Sequence, residues 1–352
     1  MKPMPKGREA ISSARAVERL TALWALNEAG LGGLIHAMKI PFTGIVVGST
    51  AVVLIALIAH FAERKAAALL KATVIVLLIK ATVSPHTPLP AYVAVAFQGL
   101  AGCLLFGLLP APRIAALGLG LLALWQGAVQ KLLVMTLLYG APLWDSVDAV
   151  GRWILAKLGG GPGTLSPTGW FLALYFGYYS LGGLVTGWLA GALPREIDRA
   201  LAEAPPPAPP AAATPDLPEG PAAKPWWHRT PFRAGLVLVI MLLTLTLIAP
   251  GGNGLALGLR VLLRALLVIG VWILIVRPLA RWGLVRFQRH EQSVYGADVT
   301  RTLDLLPELR RAAATAWSQS GQTRGLRRWK HFLVALVARA LAEEAPPSAN
   351  KT

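Results

Sequence analysis

The chain has 352 residues, 55% of them hydrophobic and only 14% charged, with a mean hydropathy of +0.56. A soluble protein covers its surface with roughly 25% charged residues, so this composition excludes a water-facing globule of comparable length. One cysteine, Cys103, excludes a disulfide framework and a cysteine-rich metal site, and a net charge of +17 is the excess that inside loops of a polytopic membrane protein collect, so no nucleic-acid partner is expected.

A bilayer core about 30 Å thick takes roughly 20 apolar helical residues to cross. Residues 1–19, a basic cytoplasmic N-terminus, have neither a compact apolar core nor a small-residue cleavage site, so no cleavable signal peptide is expected. Segment 20–38 carries Asn27, Glu28 and His36 and is the weakest span by hydropathy; clear spans follow at 41–61, 66–83, 91–109, 114–139 and 170–193. Lys and Arg place the loops at 63–65, 113 and 195–199 inside, and their absence places loop 84–90 outside. Residue 41 must then begin outside, so segment 20–38 has to cross as well. Residues 20–194 thus form a six-helix membrane domain. Within it, 143–158 is too short and too charged to cross, and with Trp144 and Trp153 it reads as an amphipathic helix on the outer interface.

Residues 195–231 form a Pro/Ala-rich cytoplasmic linker, a semi-rigid spacer that buries no apolar area. A transmembrane hairpin at 232–276 comes next, with spans 234–248 and 255–276. Basic cytoplasmic helices occupy 277–345, with helical apolar spacing at 299–317 and 327–341 and a break at 318–325. Residues 346–352 read as a disordered tail. The expected fold is an all-α polytopic integral membrane protein with both termini cytoplasmic.

No nucleophile motif, phosphate loop or His/Glu helix with metal-ligand spacing is present, so no catalytic residue, cofactor, metal or enzyme activity is expected. Polar residues inside apolar spans remain. Glu28 is the sole acid well inside a span, and such a carboxylate must be protonated, paired or hydrated. Lys39, Lys80 and Lys131, toward the outer ends of their spans, are its candidate partners, with snorkelling to headgroups as the alternative. Gln126 and Gln130 share a helix face beside Trp125 and Lys131, and Gln98 sits mid-span on another helix. With Asn27 they offer donors and acceptors suited to a small polar solute, although interhelical hydrogen bonds would use them equally well. His36 and His60 have no partner at ligand spacing. The three prolines of 84–90 make a rigid outer loop, either a lid or a plain turn, and Arg260 and Arg264 read as snorkelling or lipid-phosphate contacts. In the tail, Arg310, Arg311, Arg327 and Arg328 lie among tryptophans and suit docking to membrane lipids or to an acidic partner. Deleting the chain from Asp298 onward removes no predicted span.

Six crossings with both ends inside, a short polar first helix, small-residue faces, a capping outer loop and the runs GGLIH at 32–36 and PFTG at 41–44 resemble the substrate-binding S component of energy-coupling factor (ECF) transporters. The resemblance covers residues 19–194. It implies the bacterial cytoplasmic (inner) membrane, a vitamin-like solute bound near the outer side, a coupling subunit on the small-residue face within 22–33, and separate ATPases. The C-terminal part is similar to that coupling subunit, with TRG at 323–325 and ARA at 338–340 near its Ala-Arg-Gly signatures, which implies an ATPase or coupling partner at the tail. The alternative is a non-transport membrane scaffold or assembly factor. A transporter needs its polar residues to converge on one cavity, whereas a scaffold scatters them along interfaces.

Overall fold

The computed structural model describes residues 13–31, 43–84, 87–158, 166–203, 254–322 and 325–342, and among these the secondary structure is helical with no strand. Helix α1 (Ser13–Leu26) continues into one π-helical turn (Asn27–Leu31). There follow α2 (Thr43–Phe61), α3 (Lys65–Val83), α4 (Leu89–Leu108), α5 (Pro112–Tyr139), α6 (Ala141–Lys157) and α7 (Pro167–Glu203). Then come α8 (Gly254–Val271) with a π turn (Trp272–Val276), α9 (Arg277–Gln319), a 3-10 turn (Ser320–Gln322) and α10 (Gly325–Ala342). A helix satisfies its own backbone, which is the requirement hydrocarbon imposes on any open segment. Among the described residues, four helices are long and apolar enough to cross a membrane: Lys65–Val83, Leu89–Leu108, Pro112–Tyr139 and the continuous stretch Ala256–Gln319.

The expected spans at 66–83, 91–109 and 114–139 match helices within two residues, partly because Pro112 and Leu89-Pro90 start helices where a missing N–H costs nothing. Two elements run further than expected. Helix α7 passes through Pro194 into the basic stretch at 195–199, and α9 runs from Arg277 to Gln319, so the described part of the break expected at 318–325 contains a 3-10 turn at Ser320–Gln322. The expected span 234–248, Lys39, His36 and most of the linker lie outside the described residues.

The chain forms two compact units, one of Met1–Leu124, Leu181–Thr214 and Phe287–Thr352, the other of Trp125–Ser180 and Pro215–Arg286. In the first, α1 is the centre: Leu20, Ala22, Trp24 and Ala25 are wholly buried. Protein, not lipid, surrounds this helix, so its low hydropathy carries no penalty. The same apolar core takes in Leu309 and Ala316 of α9 and Val337 and Ala340 of α10, so the helices read from sequence as a cytoplasmic appendage share a core with α1. Glycines let the other helices close. A Cβ on Gly187 would lie 2.5 Å from the Leu117 Cα, and Gly120 faces the Gly183 carbonyl, so α5 and α7 cross backbone to backbone. Gly99 against Thr73 and Gly102 against Ile55 seat α4 in the same way. Leu104, Leu108, Ile114, Leu184 and Trp188 remain exposed, an apolar surface suited to lipid.

In the second unit, α5 ends at Gly140, whose φ of 71° is a left-handed conformation that favours glycine. Arg264 Nε donates to the Leu137 carbonyl at 3.1 Å, so this arginine caps the end of α5. The start of α7 is capped twice: the Gly169 N–H donates to Ser166 Oγ at 3.1 Å and the Thr168 N–H to Asp148 Oδ1 at 2.7 Å. The Thr168 N–H holds the Asp148 carboxyl below the usual carboxylate range. Helix α6 buries no residue and exposes Val150, Trp153, Ile154 and Leu155, as an interfacial amphipathic helix would.

The glycine contacts set a graded test. Gly187→Ala pushes a methyl into the Leu117 backbone and should cost about 1–3 kcal/mol, whereas Gly127→Ala, with nothing within 4 Å, should be neutral or gain up to about 1 kcal/mol of helix propensity. Thermal unfolding of the two purified variants measures the difference; equal effects would mean that α5 and α7 do not cross at Gly187.

Candidate functional site

The π turn adds a residue to the helical repeat where Asn27 and Glu28 stand, and so turns both side chains toward neighbouring helices. From the last turn of α3, Lys80 Nζ donates to Glu28 Oε2 at 2.6 Å, and each side chain is only 6% exposed. Lys80 therefore points into the protein and does not snorkel. Of the described lysines considered for Glu28, Lys80 is the one that reaches it, while Lys131 belongs to the other unit; Lys39 lies outside the described residues. Asn27 Nδ2 donates to Glu28 Oε1 at 3.4 Å and to the Val47 carbonyl of α2 at 3.1 Å. The Trp24 indole lies against the Glu28 carboxyl, but its N–H meets no acceptor in bonding geometry. Buried Gln98 of α4 brings its amide nitrogen within 3.5 Å of where a Cβ on Gly48 would stand. Asn27 and Gln98 thus approach α2 at consecutive residues.

The other expected site residues lie in the second unit, where each has a partner on α5 or α7. Trp125 Nε1 donates to Ser180 Oγ at 2.9 Å, Gln126 Nε2 to Gln130 Oε1 at 2.8 Å, and Lys131 Nζ to the Tyr179 hydroxyl at 2.9 Å. Phe171, Tyr175 and Tyr179 form an aromatic ladder along α7, with ring centroids 5.9 and 4.9 Å apart. The expected residues accordingly form two groups: Asn27, Glu28, Lys80 and Gln98 in one unit, and Trp125, Gln126, Gln130 and Lys131 in the other.

Arg19 was not legible as a key residue. It is 2% exposed, and its Nη1 donates to Glu308 Oε1 at 2.9 Å and to the Ala340 carbonyl at 2.6 Å. Nothing local distinguishes it from the other basic residues near the N-terminus, because its partners lie 289 and 321 residues away. Further polar contacts gather at the same end of the unit: Ser13 with Glu63 at 3.2 Å, Lys71 with Asp298 at 2.9 Å, His60 with Asp198 at 3.2 Å and Lys330 with Glu196 at 2.6 Å. The first two of these contacts border a cleft of about 450 Å³ lined in part by Glu18, Glu63, Arg64, Lys71, Asp298 and Arg301. Of the tail arginines, Arg310, Arg311 and Arg327 are exposed, while half-buried Arg328 lies 4.2 Å from the Trp317 ring centre in a cation–π contact, engaged within the chain.

Compared with known proteins, the chain matches no family model, no curated protein and no solved structure.

Removing one partner of a buried pair strands a charge, whereas removing both leaves a repairable apolar contact. Lys80→Met should therefore destabilise the protein by about 3–5 kcal/mol, and the double variant Lys80→Met, Glu28→Leu should recover most of that loss in denaturant unfolding. Additive losses in this cycle would mean that the pair is not formed.

The deletion from Asp298 onward takes on a different meaning. It removes no predicted span but strips Glu308 and Ala340 from Arg19 and uncovers α1, so the shortened protein should aggregate or lose cooperative unfolding on size-exclusion and thermal analysis. A well-behaved truncation would show that the C-terminal helices are separable.

Proposed function

We propose that the chain is a membrane transport protein of the bacterial cytoplasmic (inner) membrane whose first unit binds and translocates a small polar solute, in the manner of an ECF S component. The observation that supports this most is the Glu28–Lys80 pair with Asn27, buried among apolar helices. Such a pair contributes little net stability compared with well-packed apolar residues, so its presence favours a role other than holding the fold. Its depth fits as well. The segments rich in Lys and Arg meet at one end of the unit, taken as cytoplasmic, and Lys80 lies roughly 22 Å further along α3 than Lys65 at 1.5 Å per residue, toward the outer side. Exposed Arg310, Arg311 and Arg327 remain as a surface for anionic lipid or for a coupling subunit or ATPase.

The second reading is a membrane scaffold or assembly factor. It draws on the second unit, where Trp125 and Lys131 of α5 bond Ser180 and Tyr179 of α7 in the way that polar residues holding helices together do, and Gln126 and Gln130 bond each other.

Cells expressing the protein should deplete at least one solute from a mixed-vitamin medium faster than control cells. Glu28→Gln should cut that uptake about tenfold or more, equivalent to about 1.4 kcal/mol, while Gln126→Leu should leave most of it. If no solute is depleted, the scaffold reading takes its place; if Glu28→Gln transports normally, Glu28 has no part in the solute site.

A further inference from the structure

Resting on the solute-binding reading, we propose that the polar cluster of α1, α2 and α4 is built for an uncharged amide-type ligand, one that presents N–H donors beside a carbonyl, such as a ureide, lactam or carboxamide. The first ground is charge. Glu28 and Lys80 neutralise each other at 2.6 Å, and a charged ligand would have to break that pair or enter a site with no counter-charge to offer.

The second ground is the set of polar atoms left over. Asn27 Oδ1 and Gln98 Oε1 are buried acceptors with no partner among the described residues, and the Trp24 Nε1 donor, also without a partner in bonding geometry, lies beside the Glu28 carboxyl. Their residues are 2%, 5% and 0% exposed. The amide of Asn27 has a defined orientation, because its nitrogen faces two acceptors, Val47 O and Glu28 Oε1, so the oxygen is the free end. Each unsatisfied buried acceptor costs about 1–3 kcal/mol, which a donor arriving with the ligand would relieve. A carboxylate would face two acceptor oxygens, and an ammonium ion would share the cluster with Lys80. A neutral group with N–H donors would answer the two acceptors while leaving the Glu28–Lys80 pair intact. Ordered water is the other source of such donors, and the two differ in their response to substitution. The cluster is closed to solvent, so the ligand enters as the helices part and associates far more slowly than diffusion allows.

Thermal unfolding of the full-length protein in detergent tests this with 2-imidazolidinone as the neutral probe and propionate, propylammonium and β-alanine as charged ones. The expected result is a saturable rise in Tm with 2-imidazolidinone alone. Gln98→Leu and, independently, Asn27→Leu should weaken the response at least tenfold. Without probe, Gln98→Leu should unfold at or above the wild-type temperature, since it removes an unsatisfied acceptor, and this separates loss of binding from loss of fold. A 2-imidazolidinone response that Gln98→Leu leaves intact overturns the assignment to this cluster. A response to a charged probe alone, abolished by Glu28→Gln, overturns the neutral class while keeping the solute-binding reading. No response to any probe, with Gln98→Leu lowering the wild-type Tm, identifies a structural water cluster and removes both.

Discussion

Two ionisable side chains, Arg19 and Glu28, ride on one helix buried among its neighbours, and neither water nor a lipid headgroup is at hand to solvate them. Each is therefore answered within the protein: Arg19 by Glu308 and the Ala340 carbonyl, Glu28 by Lys80. The two sites stand nine residues apart on the helical chain, roughly 13 Å at 1.5 Å per residue. Because stranding a buried charge costs several kcal/mol, these two attachments constrain where α3, α9 and α10 can lie relative to α1.

That constraint explains the distribution of apolar residues in the first unit. Its centre is the least hydropathic of the expected spans, because the partners of α1 are other helices, while the strongly apolar helices α4 and α5 leave Leu104, Leu108 and Ile114 exposed. Where helices must approach closely, glycine replaces the side chain, as at Gly120, Gly183 and Gly187. Packing at such sites substitutes for the hydrophobic driving force that is missing between apolar helices in lipid.

The polar residues divide by what they lack. In the second unit the polar side chains of Trp125, Gln126 and Lys131 all reach partners, and little about them asks for a ligand. In the first unit Glu28 and Lys80 are paired but Asn27 Oδ1, Gln98 Oε1 and Trp24 Nε1 beside them are not, and Arg19 Nη2 and Arg328 Nε elsewhere in the unit are also left over, each at a cost in stability. This contrast favours placing the proposed solute in the first unit, and it makes the C-terminal helices, which hold the opposite end of α1 through Arg19, part of the same folding unit as the proposed site.

Composition and local pattern were sufficient for the helical class, for the long apolar helices at 66–83, 91–109 and 114–139, and for a separate helix between the segments 114–139 and 170–193, because hydropathy and periodicity are properties of short windows that neighbouring residues set. They also singled out Glu28 and supplied three lysines for it. Choosing Lys80 took the tertiary structure, as did the burial of Arg19, the capping of α5 by Arg264 and the merging of the C-terminal helices into the core of α1. Local rules failed also at Pro194, where a helix continues through a residue that usually ends one. Partners 52 and 289 residues apart leave no trace in any window of sequence; which of them meet depends on the side chains that packing brings to the same height of the unit.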